Sequence, residues 1–307
     1  MVRGWCHGPA VSATVTGKPW EDLVPATDDI LYDRPEPAIA RITLNRPDTR
    51  NAQSTRFLYA LNDAFQRAAA EDAVKVIVLR AMGPHFSSGH DLREPKETRE
   101  RDTRRDNPVG VWGGFGGPGA EAQMAREKEI YLGFCERWRD LPKPTIAQVH
   151  GKVIAGGLML VWPCDIVIAS DDATFNDPTV AMGVGGVEYF MHPFEFGPRK
   201  AKELLFTADW LTAREAMQLG MVNHVVPLAE LEGTVLAMAR RIAAKPGFAL
   251  KLAKEAVNAA EDAMGRPMAL KSAFALHQLA HSHNMQVHGM LVDPAGLVPT
   301  VQKKREA

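Results

Sequence analysis

The sequence is poor in the residues that would tie it to a membrane, a metal cluster or a nucleic acid. It has only three cysteines in 307 residues, Cys6, Cys135 and Cys164. They are widely spaced, odd in number and never in a C-x-x-C arrangement, so neither a disulfide framework nor a cysteine-rich zinc site is expected, and a reduced, cytoplasmic protein fits best. No apolar run reaches the ~20 residues of a membrane span, and residues 1–18 hold no apolar signal-peptide core. Charge of one sign is absent: 36 Lys and Arg stand against 37 Asp and Glu, a formal net charge of -1. Without a basic face there is no electrostatic case for nucleic acid or an acidic membrane surface. What remains, 46% hydrophobic and 24% charged residues, is the composition of a globular enzyme.

The densest apolar stretch lies at the centre, H-G-K-V-I-A-G-G-L-M-L-V-W-P-C-D-I-V-I-A-S (150–170). The pattern predicts a buried strand over 145–149, a turn at Ala155-Gly156-Gly157, a short apolar helix over 158–162 and a second strand over 165–169. Glycines opening a helix leave backbone N–H groups uncovered, and the positive end of the helix dipole suits an anion or a developing oxyanion. Taken alone, Gly-Gly also serves tight packing.

Elsewhere the chain alternates strands and helices. Residues 1–27 show no periodicity and read as a flexible extension. A strand is expected over 38–44, then a helix from Ser54, a good N-cap, with Phe57, Leu58, Leu61, Ala64, Phe65 and Ala68 at helical spacing. A buried strand follows over 74–79. Strand, helix and strand with short links imply right-handed crossovers and a mostly parallel sheet. Residues 93–108 alternate charge sign and read as a solvated face or mobile loop. The glycine-dense 109–119 reads as a flap carrying Trp112 and Phe115. A helix over 121–139 resumes the pattern. Beyond residue 198 the chain is helical, including a helix capped by Thr212 and ended by Gly220, and Met217, Met221 and Met238 read as core. His192 is expected to be structural. His277 and His281 are spaced i, i+4; they and His283 and His288 are expected on an exposed helix face, with no carboxylate or cysteine to complete a metal site.

Several segments together carry a resemblance: A-R-I-T-L-N-R-P-x-x-x-N-A (40–52), H-F-S-S-G-H-D-L (85–92), H-G-K-V-I-A-G-G-L-x-L-x-x-x-C-D-I-x-I-A-S (150–170), A-T-F-N-D-P (173–178) and L-T-A-R-E-A-M-Q-L-G-M-V-N-H-V-V-P (211–227). In this order the chain resembles the crotonase (enoyl-CoA hydratase/isomerase) superfamily over roughly residues 28–280. The resemblance implies an α/β fold: a crotonase-like β-β-α spiral core over 28–197 and a helical C-terminal region over 198–307 for oligomerisation or as a lid, in a homotrimer or dimer of trimers. It also implies an acyl-CoA thioester as substrate, with no further cofactor and no metal. Carried over by position, the two backbone N–H groups of an oxyanion hole fall on His90 and Gly156. Thr49 and Arg50 fall where the pantetheine and phosphates of CoA are flanked, the Ser88 backbone where the adenine lies, and Asp91 and Leu92 where the thioester is lined; Gly157, Met159 and Thr179 are further substrate-binding positions.

The chain departs from the family pattern at the two hydratase glutamates. Met159 stands in the place of the first and Thr179 in the place of the second, and neither is a carboxylate base. Glu188, in the stretch Gly183–Phe190, is the foremost replacement, with burial expected to raise its pKa toward that of a useful base; the competing role is a buried ion pair with Arg199. Asp177 is a second candidate, or a turn cap, and the His90 side chain a third. Two functions stay open: an enolate-stabilising enzyme working by isomerisation, modified hydration or carbon–carbon hydrolysis, and a non-catalytic acyl-CoA-binding member. Phe115, Trp112 and Met159 hint at a bulky apolar acyl group.

Overall fold

The fold is described from a computed structural model over residues 29–111 and 113–297; the N-terminal extension, Cys6 and Trp112 lie outside the described residues. Six strands form one sheet in the order β1 (Ile30–Glu36), β2 (Ile39–Leu44), β3 (Val76–Ala81), β4 (Thr145–Val149), β6 (Ile166–Ser170) and β9 (His224–Val226). β1 and β2 are antiparallel and the remaining pairs parallel. A second sheet holds β5 (Lys152–Ile154), β7 (Thr174–Asn176) and β8 (Leu211–Thr212). β4 runs into β5 through Gly151, at φ 57°, and β6 runs into β7, so each of these two passes adds one strand to each sheet. This is an α/β fold of the spiral kind that the resemblance implies, with helices gathered toward the C-terminus.

Parallel strands are covered on both faces and so read as unbroken apolar runs. β4 is buried at every position. One face of the large sheet, Ile42, Ile77, Leu79, Ala147 and Val149, packs with Phe57, Leu61 and Phe65 of α1 (Thr55–Ala70) and with Trp138 of α4 (Phe134–Arg139). The other face, Ile39, Val76, Val78, Ile146 and Ile168, packs with Leu231, Val235 and Ala239 of α8 (Leu231–Ala243). Local chemistry sets the helix ends. Ser54 Oγ accepts the N–H of Phe57 at 3.3 Å, and Thr212 with Glu215 forms a capping box on α7 (Ala213–Leu219), which Gly220 ends at φ 96°.

Three expectations are settled or changed. The charged run is a solvated face rather than a loop over its first part, a short helix α2 (Lys96–Asp102) with no buried residue, on which Lys96 and Glu100 pair one turn apart. The helix over 121–139 is α3 (Ala120–Glu127), a π-turn over Lys128–Gly133 and then α4. Met217 is 39% exposed rather than core, while Met221 is buried. The long C-terminal helices α9 (Gly247–Ala263) and α10 (Arg266–His288) leave Phe248, Val257, Met264 and Met268 at least 70% exposed. No helix of the described residues is long and apolar enough to cross a membrane.

Candidate active site

Two distant loops meet at the centre. After β3, the chain 86–92 turns at Gly89, whose φ of 84° suits glycine. The turn 155–157 follows β5. Ser87 binds the β5 backbone in both directions, its N–H donating to Lys152 O at 3.2 Å and its O accepting from Ile154 N–H at 3.0 Å. The contact leaves no room for side chains. A Cβ on Gly89 would lie 2.7 Å from Ile154 O and 3.1 Å from the nitrogen of Gly156; one on Gly157 would lie 2.8 Å from Ser87 O. The structure therefore brings His90 and Gly156 together, as their proposed shared role requires. Gly156 is the second residue of a 3-10 turn (Ala155–Gly157), so its N–H has no acceptor within that turn. Ala155 beside it is held at φ 46°, a conformation costly for a residue with a Cβ and concentrated at functional sites.

Gln53 was not anticipated, and it locks the junction. Its side-chain amide donates to Gly156 O at 2.8 Å and to Ser87 Oγ at 3.2 Å, while its backbone N–H bonds Gly89 O and its O accepts from Asp91 N–H. One buried glutamine thus fixes the glycines of both loops. No sequence period marks it, because it lies in the short link before α1.

The His90 ring lies against Gly156; a Cβ there would be 2.6 Å from both Nδ1 and Cε1. The ring also stacks on Tyr131, centroids 3.8 Å apart. His90 Nε2 meets Glu188 Oε2 at 3.1 Å, and His90 Nδ1 is buried without a hydrogen-bond partner among the described residues. Glu188 is 3% exposed. Its partners are His90 and, at 3.5 Å through Oε1, His277 Nε2. Arg199, the partner expected from sequence, is exposed. The expected rise in its pKa is also corrected. Burial pushes the carboxyl upward, but the imidazoles of His90 and His277 outweigh it and hold Glu188 below the ordinary carboxylate range.

Asp177 is buried and fully occupied. It accepts N–H bonds from Thr179 at 3.0 Å and Val187 at 3.2 Å and pairs with His192 Nε2 at 2.8 Å. Burial would raise its pKa, but the bond to His192 and that imidazole's charge lower it. Those bonds fit the turn-capping role and hold Val187, next to Glu188, in place. Met159 is buried and its carbonyl oxygen accepts from Cys135 Sγ at 3.2 Å; Thr179 opens a 3-10 turn (Thr179–Met182).

The proposed CoA-flanking residues also cluster. Ser88 N–H donates to Arg50 O at 2.9 Å and Ser88 Oγ to Thr49 O at 3.4 Å; Arg50 is exposed, at φ 55°. The carboxylate of Asp91 is engaged by Arg46 and Arg93 and lines a cavity of about 320 Å³ with Arg46, Arg56, Arg93 and Arg101, so its charge is spent on guanidinium groups. Leu92 is half-buried, its N–H on His90 O at 3.0 Å.

Behind Glu188 the structure overturns a second expectation. His277 and His281 are buried, not exposed, and Glu127 at the end of α3 lies against both. The i, i+4 spacing was legible; the carboxylate came from a helix 150 residues upstream. His283 and His288 are exposed as expected.

Comparison with known proteins agrees with this architecture. The family model for enoyl-CoA hydratase/isomerase matches residues 34–110 and 117–292. The chain is 49% identical over 253 residues, 82% of this chain and 80% of the relative, to "Putative enoyl-CoA hydratase EchA13" of Mycobacterium tuberculosis. It is 35% identical over 206 residues, 67% of this chain and 61% of the relative, to the human mitochondrial enoyl-CoA hydratase domain-containing protein 3. A crystal structure of a probable enoyl-CoA hydratase from Mycobacterium smegmatis superposes with a TM-score of 0.76 at 46% identity, covering 86% of this chain and 98% of that one. With the spiral of paired strands, the two loops meeting at Gly89 and Gly156, and these matches, the chain belongs to the enoyl-CoA hydratase/isomerase family of the crotonase superfamily.

Proposed function

We propose that the chain is an acyl-CoA thioester enzyme that forms an enolate between the N–H groups of His90 and Gly156, and that the His90 side chain moves the proton. The observation that carries this reading is the His90–Glu188 pair beside Gly156. A carboxylate on Nε2 holds the proton there, which leaves Nδ1 as a free lone pair; that nitrogen is unpartnered and lies against Gly156. A base oriented by a buried carboxylate and placed beside an oxyanion site is the arrangement that proton abstraction next to a carbonyl needs. Glu188 is then a positioning residue: with 3% exposure it fixes the tautomer rather than meeting substrate.

The reaction this set fits best is double-bond isomerisation. One base can remove a proton from the carbon next to the thioester and return it further along the chain. Hydration by the two-glutamate route needs two groups on one water, and in this reading Met159 and Thr179, neither a carboxylate, stand where those groups would be. The substrate's own CoA thioester suffices, with no further cofactor. The apolar residues left exposed on α9 and α10 support a homotrimer or a dimer of trimers.

The test is to supply 3-enoyl-CoA and 2-enoyl-CoA, follow the conjugated thioester absorbance, and titrate a saturated acyl-CoA by calorimetry. Isomerisation that Glu188→Gln lowers by ~100- to 10,000-fold in kcat, with KM little changed, supports the reading. Tight acyl-CoA binding without turnover of either substrate leaves the non-catalytic member as the function. Absence of acyl-CoA binding overturns both.

A further inference from the structure

The buried cluster of Glu127, His277 and His281 is not used by the reaction proposed above, and its chemistry is unbalanced. All three residues are at most 7% exposed. His277 Nδ1 bonds Gly186 O at 2.8 Å and His281 Nδ1 bonds Leu291 O at 2.6 Å. A carbonyl only accepts, so each Nδ1 carries the hydrogen and each neutral ring presents a bare Nε2 lone pair inward. Both lone pairs face the Glu127 carboxylate: His277 Nε2 is 3.7 Å from Oε2 and His281 Nε2 is 3.3 Å from Oε1. Acceptors converging out of reach of water require a cation among them. A proton on His281 Nε2 answers one pair and a proton on His277 Nε2, shared between Glu127 and Glu188, would answer the other; one metal ion held by all three residues answers both at once. His277 Nε2 remains buried without a hydrogen-bond partner, with Glu188 Oε1, another acceptor, 3.5 Å away.

We propose that Glu127, His277 and His281 form a site for one divalent transition-metal ion of tetrahedral preference, zinc, with the fourth position toward Glu188. One ligand atom from each residue lies within 4.8 Å of the other two. Zinc bonds of ~2.0–2.2 Å at a tetrahedral angle separate ligand atoms by roughly 3.3–3.5 Å; the two imidazole nitrogens lie 3.3 and 3.7 Å from different oxygens of Glu127, so a small closing movement brings three ligand atoms onto one ion. The surroundings match those of a metal-bound histidine, whose second nitrogen donates to a carbonyl and so aims the first. The side-chain amides of Gln123 and Gln278 donate to the Glu127 carboxylate and fix it. Arg126, with Nη2 3.8 Å from Glu127 Oε1, works against a cation. Against it, two imidazoles and a carboxylate with Glu188 facing the same space favour a borderline-soft metal over calcium or magnesium, which take oxygen ligands. The ion would tie α10 to α3 and so hold the C-terminal helix over the core. The site is structural and does not depend on the thioester reading.

The experiment uses the full chain from zinc-supplemented growth. Elemental analysis is expected to give about one zinc per chain. After chelation, zinc is expected to raise the thermal midpoint by several degrees, and cobalt(II) to give the visible absorption of a tetrahedral complex. His277→Gln and His281→Gln should each abolish the cobalt spectrum and the zinc-induced shift. Circular dichroism of the metal-free variants checks that they fold, and the wild-type measurements need no variant. Zinc well below stoichiometry together with no visible cobalt band in the wild-type chain overturns the proposal, as does a cobalt spectrum unchanged in both variants. Either result would assign the cluster to a shared proton instead.

Discussion

Gly156→Ala is the substitution that probes the proposed oxyanion site most directly. Gly156 does not need glycine for its backbone angle, since its φ is not in the left-handed region. The added methyl is the whole perturbation. Its carbon would sit 2.6 Å from His90 Nδ1 and Cε1 and 3.0 Å from Gln53 Oε1. Carbon contacts settle near 3.5 Å, so the imidazole must retreat by roughly 0.9 Å. Tyr131 blocks one direction, its ring stacked at 3.8 Å. A shift of that size is enough to break the 3.1 Å bond to Glu188, and it disturbs the glutamine that aims both loops. Misaiming one oxyanion donor costs ~100- to 1000-fold in rate. Overpacking costs about 1–3 kcal/mol of stability, or about 2–12 °C in thermal midpoint. The assay is kcat/KM for isomerisation of 3-enoyl-CoA, with a melt on the same preparation. A variant that melts within those bounds yet keeps wild-type kcat/KM would refute the placement of the hole at these two residues.

Three further outcomes are expected. The carboxylate of Glu129, fully buried, accepts the N–H groups of Val109, Gly110 and Val111 at 2.5, 2.6 and 2.8 Å; Glu129→Ala should free the glycine-rich flap and speed limited proteolysis within residues 109–119, and an unchanged cleavage rate would show that the flap is held by other means. Thr212→Ala removes the capping box of α7 and should cost about 1 kcal/mol, ~2–4 °C in a melt, while Thr212→Ser should melt like the wild type. The depressed pKa of Asp177 means that its contribution to stability is present above its ordinary value of 3.8 and is lost as pH falls below it. The wild type should therefore lose thermal midpoint steeply below that pH, and Asp177→Asn, less stable at neutral pH, should show a shallower acid dependence; equal slopes would remove the pair from the acid response.

Much of the architecture was legible in the chain because it rests on local rules. The predominantly apolar runs at 145–149 and 166–170 become central parallel strands, since a strand covered on both faces has no solvent-facing side, and even Thr145, Gln148 and Ser170 are buried there. Ser54 and Thr212 cap their helices because a hydroxyl at that position answers a free N–H whatever the fold around it. The turn at 155–157 stood out by its Gly-Gly and the loop at 85–92 by the family resemblance; the structure supplies the reason, since glycine suits the turn at Gly89 and the close approach at Gly157.

Tertiary structure alone decided the charges. Burial by itself would have raised the pKa of Glu188, and the sequence gives no sign that His90, 98 residues upstream, and His277, 89 residues downstream, close on it and reverse the sign. The i, i+4 pair at 277 and 281 was visible, but which side of α10 faces inward depends on where α3 delivers Glu127. Electrostatic energy depends on separations of a few ångströms between groups that the chain brings from far apart, whereas strands and caps depend on neighbours a few residues away.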